Sequence, residues 1–306
     1  MNGVTMKLSR RRFLIGASAS AFCSPLRAAE TASLSFLVLG DWGNPARRED
    51  QMRVAKAMAD KAQAVPQQFV LSVGDNFYGS GVDGVSDQQW LTSFEEIYAS
   101  PALQCPWYVV LGNHDHRGDQ QAEIDYGLTS PRWRMPSRYY SFVHDVSRTA
   151  QAELFCLDTQ SLVAQTLLEK LTGYGLDRGA QIQWLDQALS RSTARWKIVV
   201  GHHPVFSAGS HGDTADLIAL LKPLLLEHGV HAYLNGHDHN LSCIEDEGIA
   251  YFTSGAGAEA RPVKPHPGTL FSEARTGFLA ACLKDESAEF DFIGDDGSVL
   301  FKKTIA

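Results

Sequence analysis

The 306-residue sequence predicts an α/β layered fold, and two observations carry that reading. Short β-branched and aliphatic runs alternate with longer stretches of helical period. Beyond Gly248 this alternation gives way to closely spaced strands joined by tight turns. A third observation predicts where a ligand would sit: five of the strands are followed at once by Gly together with Asp, Asn or His.

The first segment stands apart from that fold. Ser9-Arg10-Arg11-Arg12-Phe13-Leu14 is followed by a weakly apolar stretch from Ile15 to Cys23 and by small residues around Ala28. Paired arginines, apolar stretch and small residues in that order predict a twin-arginine export signal over residues 1–28. The expected destination is periplasmic or extracellular, reached through the export machinery, with any metal or cofactor loaded before export. Beyond residue 30 no apolar run reaches the roughly 18 residues needed to span a bilayer, so no stable membrane anchor is expected.

The domain then runs over residues 33–306. Buried strands are predicted at 35–40, 69–73, 108–111, 154–157, 197–200 and 232–234, each a short run of Val, Ile, Leu or aromatic residues. Helices are predicted at 47–64, 88–99, 180–190 and 213–228, the last with Leu217, Leu220, Leu221, Leu224 and Leu225 on one face. Strands at 250–253, 276–283, 288–293 and 299–304 are expected to complete the sheet antiparallel, with Asp295-Asp296-Gly297 as a hairpin turn. No linker, repeat or shift of composition divides this stretch, which predicts a single domain. Cys105, Cys156, Cys243 and Cys282 form no CxxC pair and lie in or beside apolar runs, so they read as small buried side chains, with any disulfide pairing left open.

Charge narrows the partners. The formal charge is −8, and loss of the signal with its five basic and no acidic residues leaves −13. A body this acidic lacks the basic footprint needed to bind nucleic acid or an anionic membrane. A small anionic substrate would have to be attracted locally, for instance by metal ions.

The chemistry lies in the five strand-end loops: Gly40-Asp41-Trp42-Gly43, Gly74-Asp75-Asn76-Phe77-Tyr78, Gly112-Asn113-His114-Asp115, Gly201-His202-His203 and Gly236-His237-Asp238-His239. In open α/β sheets such loops converge on one crevice. Two carboxylates, an amide oxygen, three histidines and a tyrosine exceed what one tetrahedral ion uses. They suit two metal ions with open positions, an arrangement that clamps phosphoryl groups.

In order and spacing, Asp41-x-Gly43, Gly74-Asp75-x-x-Tyr78, Gly112-Asn113-His114-Asp115, Gly201-His202 and Gly236-His237-x-His239 resemble the calcineurin-like metallophosphoesterases. Among these, the chain is most similar to the small, tartrate-resistant type of purple acid phosphatase. Arg132-Trp133, Leu157-Asp158-Thr159 and Ser254-Gly255-Ala256-Gly257 extend the similarity over the mature chain. The resemblance implies a four-layer α/β/β/α sandwich. It implies Fe(III) on Asp41, Tyr78 and His239, a divalent ion (Fe, Zn or Mn) on Asn113, His202 and His237, and Asp75 bridging both. Many relatives have Asp-x-His at the first motif; here Gly43 stands in the histidine's place and Tyr78 supplies a hard oxygen instead. The implied reaction is hydrolysis of small phosphate monoesters by attack of a metal-bound hydroxide on phosphorus, with His114 and His211 as candidates to protonate the leaving group. A phosphodiesterase or nucleotide hydrolase with the same metal core, or an iron-dependent peroxidase-like activity, are the alternatives. His203 stands where the similar animal enzymes have tyrosine, His116 is a neighbour of unassigned role, and the loop cysteines of the animal proteins are missing.

Overall fold

The computed structural model describes Met1 and residues 33–164, 178–264 and 266–306. The elements described belong to one compact unit, Thr31–Ala306. The expected export signal, residues 1–28, lies outside the described residues.

Among the described residues there are two seven-stranded mixed sheets. The first is built on β1 (Leu34–Leu39), β2 (Phe69–Ser72), β3 (Trp107–Val109) and β4 (Trp133–Arg134), which run parallel to one another. The second contains β5 (Tyr140–Asp145), β6 (Gln151–Cys156), β7 (Trp196–Val200), β8 (Ala232–Asn235), β9 (Leu241–Asp246), β10 (Ile249–Ser254) and β11 (Thr269–Glu273), in the order β11-β9-β10-β8-β7-β6-β5. The antiparallel run β12 (Gly277–Leu283), β13 (Ala288–Gly294) and β14 (Val299–Ile305) closes the first sheet beside β1. One expectation needs correcting here. Residues 250–253 do not complete that sheet, because β10 lies in the second one, parallel to β8 and antiparallel to β9.

Alternation along the strands explains the layering. Leu154 and Cys156 of β6 join the core that also holds Phe36 and Val38, whereas Phe155 and Leu157 face a second core with Leu185 and Leu189. Those leucines belong to α3 (Arg178–Arg191), beside which lie α4 (Ala215–Leu220) and α5 (Lys222–Glu227). On the other side Val54 and Met58 of α1 (Arg48–Ala64) pack into the first core. The arrangement is the helix, sheet, sheet, helix sandwich that the resemblance implied.

Two helices differ from expectation. The segment 213–228 breaks into α4 and α5 at Leu221, because Pro223 has no N–H for the bond an unbroken helix needs; Leu217, Leu221 and Leu225 nevertheless share the buried face. The segment 88–99 holds instead a π-helical turn, Trp90–Glu95, in which the N–H of Glu96 reaches Leu91 O at 2.9 Å. Its wider turn lets Trp90 stack on Tyr126 at 3.6 Å and sets Phe94 edge-on to Trp107 and Trp133. The short helix α2 (Gln120–Asp125) and strands β4, β5, β9 and β11 carry too little local pattern to be read from sequence. Cys105, Cys156, Cys243 and Cys282 are all free thiols.

Candidate metal centre

All five loops leave the carboxyl ends of β1, β2, β3, β7 and β8, three from one sheet and two from the other, and they meet at one edge of the sandwich. The backbone there is unusual: Asp41, Asp75 and His237 have φ of 58°, 51° and 69°. Left-handed backbone at three non-glycine residues is held only where the surroundings over-determine it, and it aims these side chains inward. Gly43 is explained by packing as well as by chemistry. A Cβ there would run into the carbonyl of Asn76, so the chain can pass close enough for the N–H of Tyr78 to donate to Gly43 O at 3.0 Å.

The side chains fall into two groups. The Tyr78 hydroxyl lies 3.1 Å from Asp41 Oδ1 and 3.2 Å from His239 Nε2, and these two are 3.4 Å apart. In the second group Asn113 Oδ1 lies 3.2 Å from His202 Nε2 and 2.9 Å from His237 Nδ1, with 3.2 Å between the two ring nitrogens. Asp75 joins them: Oδ2 is 3.1 Å from the Tyr78 hydroxyl and Oδ1 is 3.4 Å from His202 Nε2. Asp41, Asp75 and His202 are buried, with donor atoms within 4.8 Å of one another.

This donor set fits cations. One phenolic proton faces two carboxylates and an imidazole, so it satisfies one acceptor of the three. Atoms bound at about 2.1 Å to a common ion lie about 3 Å apart at right-angle positions, the spacing seen in both groups. Burial, and then the charges of Asp41 and Asp75, push the Tyr78 phenol well above 10, so a phenolate forms here only against a strong cation. His202 Nδ1 donates to Val73 O at 2.9 Å, which leaves Nε2 with the lone pair that points at Asn113 and Asp75. Without a cation, burial lowers the His202 pKa but the Asp75 carboxylate outweighs it and lifts it to about 9. For His237 burial, helped by the charges of His202 and His211, wins and carries it down to about 3. It is the neutral, ligating form of histidine that this environment favours there.

Around the donors sits a shell that sequence reasoning did not find. Glu259 accepts from His239 Nδ1 at 3.2 Å and from Arg47 and Arg261 at 2.8 and 3.1 Å, while the N–H of Arg261 donates to His239 O at 2.7 Å. Asp238 accepts from the Ser207 hydroxyl and from His211 Nδ1, the latter at 2.8 Å. Asp238 could have been suspected from its place between His237 and His239; Glu259 follows no signal at all. The His211 ring lies tilted against that of His237 with 4.2 Å between centres, and His114 tilted against Tyr78 at 4.3 Å with its Nδ1 donating to Gly79 O at 2.8 Å. His203 is buried 4.5 Å from His237; the Thr159 hydroxyl takes the N–H groups of His202 and His203, and so gives its own proton to His203 Nδ1 at 3.0 Å. His116 is tied to Asp158 at 2.8 Å, which also holds Arg138.

Comparison with known proteins places this geometry. The calcineurin-like phosphoesterase family profile matches residues 34–241. Tartrate-resistant acid phosphatase type 5 of Oryctolagus cuniculus is 39% identical over 249 residues, covering 77% of this chain and 76% of that protein. Purple acid phosphatase 17 of Arabidopsis thaliana is 38% identical over 288 residues, or 88% of this chain and 83% of that one. Among solved structures, GAP50, "the anchor in the inner membrane complex of Plasmodium", superposes with a TM-score of 0.79 at 27% identity, covering 90% of this chain and 89% of its own. With the family profile over most of the domain and such relatives over most of the chain, this protein belongs to the calcineurin-like phosphoesterases, among the purple, tartrate-resistant acid phosphatases.

Proposed function

We propose that the chain is a dinuclear-metal acid phosphatase that hydrolyses small phosphate monoesters after export through the twin-arginine route. The observation that carries the reading is Asp75, whose two oxygens face two separate donor groups. The anionic donors Asp41 and Tyr78 with His239 would hold Fe(III), and the neutral donors Asn113, His202 and His237 a divalent ion (Fe, Zn or Mn). When bound, the two ions neutralise phosphoryl charge and acidify the attacking water.

The protein's own part is orientation and proton delivery. His114, with Nδ1 committed to Gly79 O, keeps Nε2 free 3.9 Å from Asp75 Oδ2, at the edge of the centre. His211, with Nδ1 committed to Asp238, keeps Nε2 free in the cavity that also holds Asn113 and His237. Either can hand a proton to a leaving alkoxide. The Plasmodium relative carries the same fold under the name of an anchor. Two histidines held with one nitrogen free beside the donors favour catalysis here, since binding alone would need neither.

The test is metal content, visible spectrum and hydrolysis of para-nitrophenyl phosphate by the exported protein. Two metals per chain including iron, a purple band lost in Tyr78→Phe, and turnover on the acid side are expected. A colourless protein without iron would overturn the metal assignment, and failure on the monoester would overturn the activity.

A further inference from the structure

His203 lines the same cavity as Asn113, His211 and His237, yet proton delivery by His114 and His211 makes no use of it. The residue is only 4% exposed. Its ring centre lies 4.5 Å from that of His237 and 5.2 Å from that of His202, which sets it against the donor group of Asn113, His202 and His237.

Every polar atom of His203 but one is engaged. Its backbone N–H donates to the Thr159 hydroxyl at 3.0 Å, and its carbonyl accepts from the Tyr233 hydroxyl at 2.8 Å. Gly201 makes room for both partners: a Cβ there would stand 2.5 Å from the Thr159 methyl and from the Tyr233 hydroxyl. The Thr159 oxygen also takes the N–H of His202 at 3.1 Å, so both its lone pairs are used and its own proton goes to His203 Nδ1 at 3.0 Å. A proton on Nδ1 would find no acceptor there. The ring is therefore neutral, with its proton on Nε2. Nε2 has no hydrogen-bond partner among the described residues and is not sealed from solvent. With its one lone pair held by Thr159, the ring has none to give a cation; what it offers the cavity is an N–H.

We infer that the Nε2–H of His203 is a further substrate contact, donating to a phosphoryl oxygen held beside Asn113, His202 and His237. The inference rests on the phosphatase reading and adds a binding contact to it. A hydrogen bond to a charged oxygen is stronger than one between neutral groups, and a ring already fixed by its neighbours has little freedom to lose when it forms. Unlike His114 and His211, this residue gives up no proton, so its effect falls on phosphate affinity.

The experiment measures inorganic phosphate binding by calorimetry, metal content, and KM and kcat for para-nitrophenyl phosphate on the metal-loaded protein. His203→Leu is expected to weaken phosphate binding and to raise KM, each about tenfold, with kcat within about twofold and metal content unchanged. His203→Gln, which keeps an N–H, is expected to recover part of the affinity. Should His203→Leu fail to fold, the unbranched His203→Met makes the same comparison. Unchanged phosphate binding in the variant without a donor would overturn the contact, as would a fall in kcat alone, which would put the N–H on the attacking water. Loss of metal would also overturn it, since the residue would then serve the centre itself. In each of these cases the phosphatase reading stands. No turnover of para-nitrophenyl phosphate by the unmodified, metal-loaded protein would overturn both.

Discussion

Glu259 shows how much of a metal site lies outside its ligands. It holds His239 through Nδ1 while Arg47 and Arg261 hold it in turn, so the ring is fixed from the loop after β1 and from the segment after β10 together. A carboxylate on the far nitrogen of a ligating histidine sets its tautomer and raises its donor strength. Glu259→Gln keeps the shape and removes the charge. It is expected to weaken metal retention against a chelator by about tenfold, and an unchanged metal content would remove Glu259 from this role. The candidate ligands were legible because Asp, Asn and His directly after Gly at a strand end are a local pattern. Glu259 was not, since 20 residues separate it from His239 and 212 from Arg47.

At the scale of elements, α2 matters most for the site although its sequence announces nothing. It buries Glu123 beneath the loops, where Asn76 Nδ2 donates to Glu123 at 3.0 Å and to Asp115 at 3.1 Å. Asp115 in turn takes the backbone N–H groups of Asn76, Phe77 and Gly112, which ties the loop after β2 to the loop after β3. Burial, then the charge and hydrogen bond of Asp115, hold Glu123 well above 4.5; burial and the charge of Asp75 raise Asp115 to about 7. The raised Glu123 value means that the folded state prefers the protonated acid. Its contribution is therefore complete below the ordinary glutamate value and is lost as pH rises through the folded value. Glu123→Gln has no proton to lose, so its Tm relative to the parent is expected to climb between about pH 4.5 and pH 7.5. A difference that stays constant with pH would show that Glu123 does not titrate as described.

For the whole molecule, the centre is also a structural joint. The loops of the first sheet bring Asp41, Asp75, Tyr78 and Asn113, and those of the second bring His202, His237 and His239. Cations held between them bind the folded state and not the unfolded one, so metal should raise stability by mass action. Chelation is expected to lower Tm by several degrees or more, with recovery on adding iron and a divalent ion. No change on chelation would mean that the two sheets hold together without the centre.

The sequence by itself determined the α/β class, most of the strands and the order of the five strand-end loops that carry the seven candidate donors. Each depends on a pattern a few residues long, because strand period, turn chemistry and ligand type are local. Tertiary structure alone decided that β10 joins the second sheet and that Asp75 faces both donor groups. It alone set Glu259 behind His239. Those contacts join residues far apart in the chain, and only the packing of two sheets against each other chooses which of them meet.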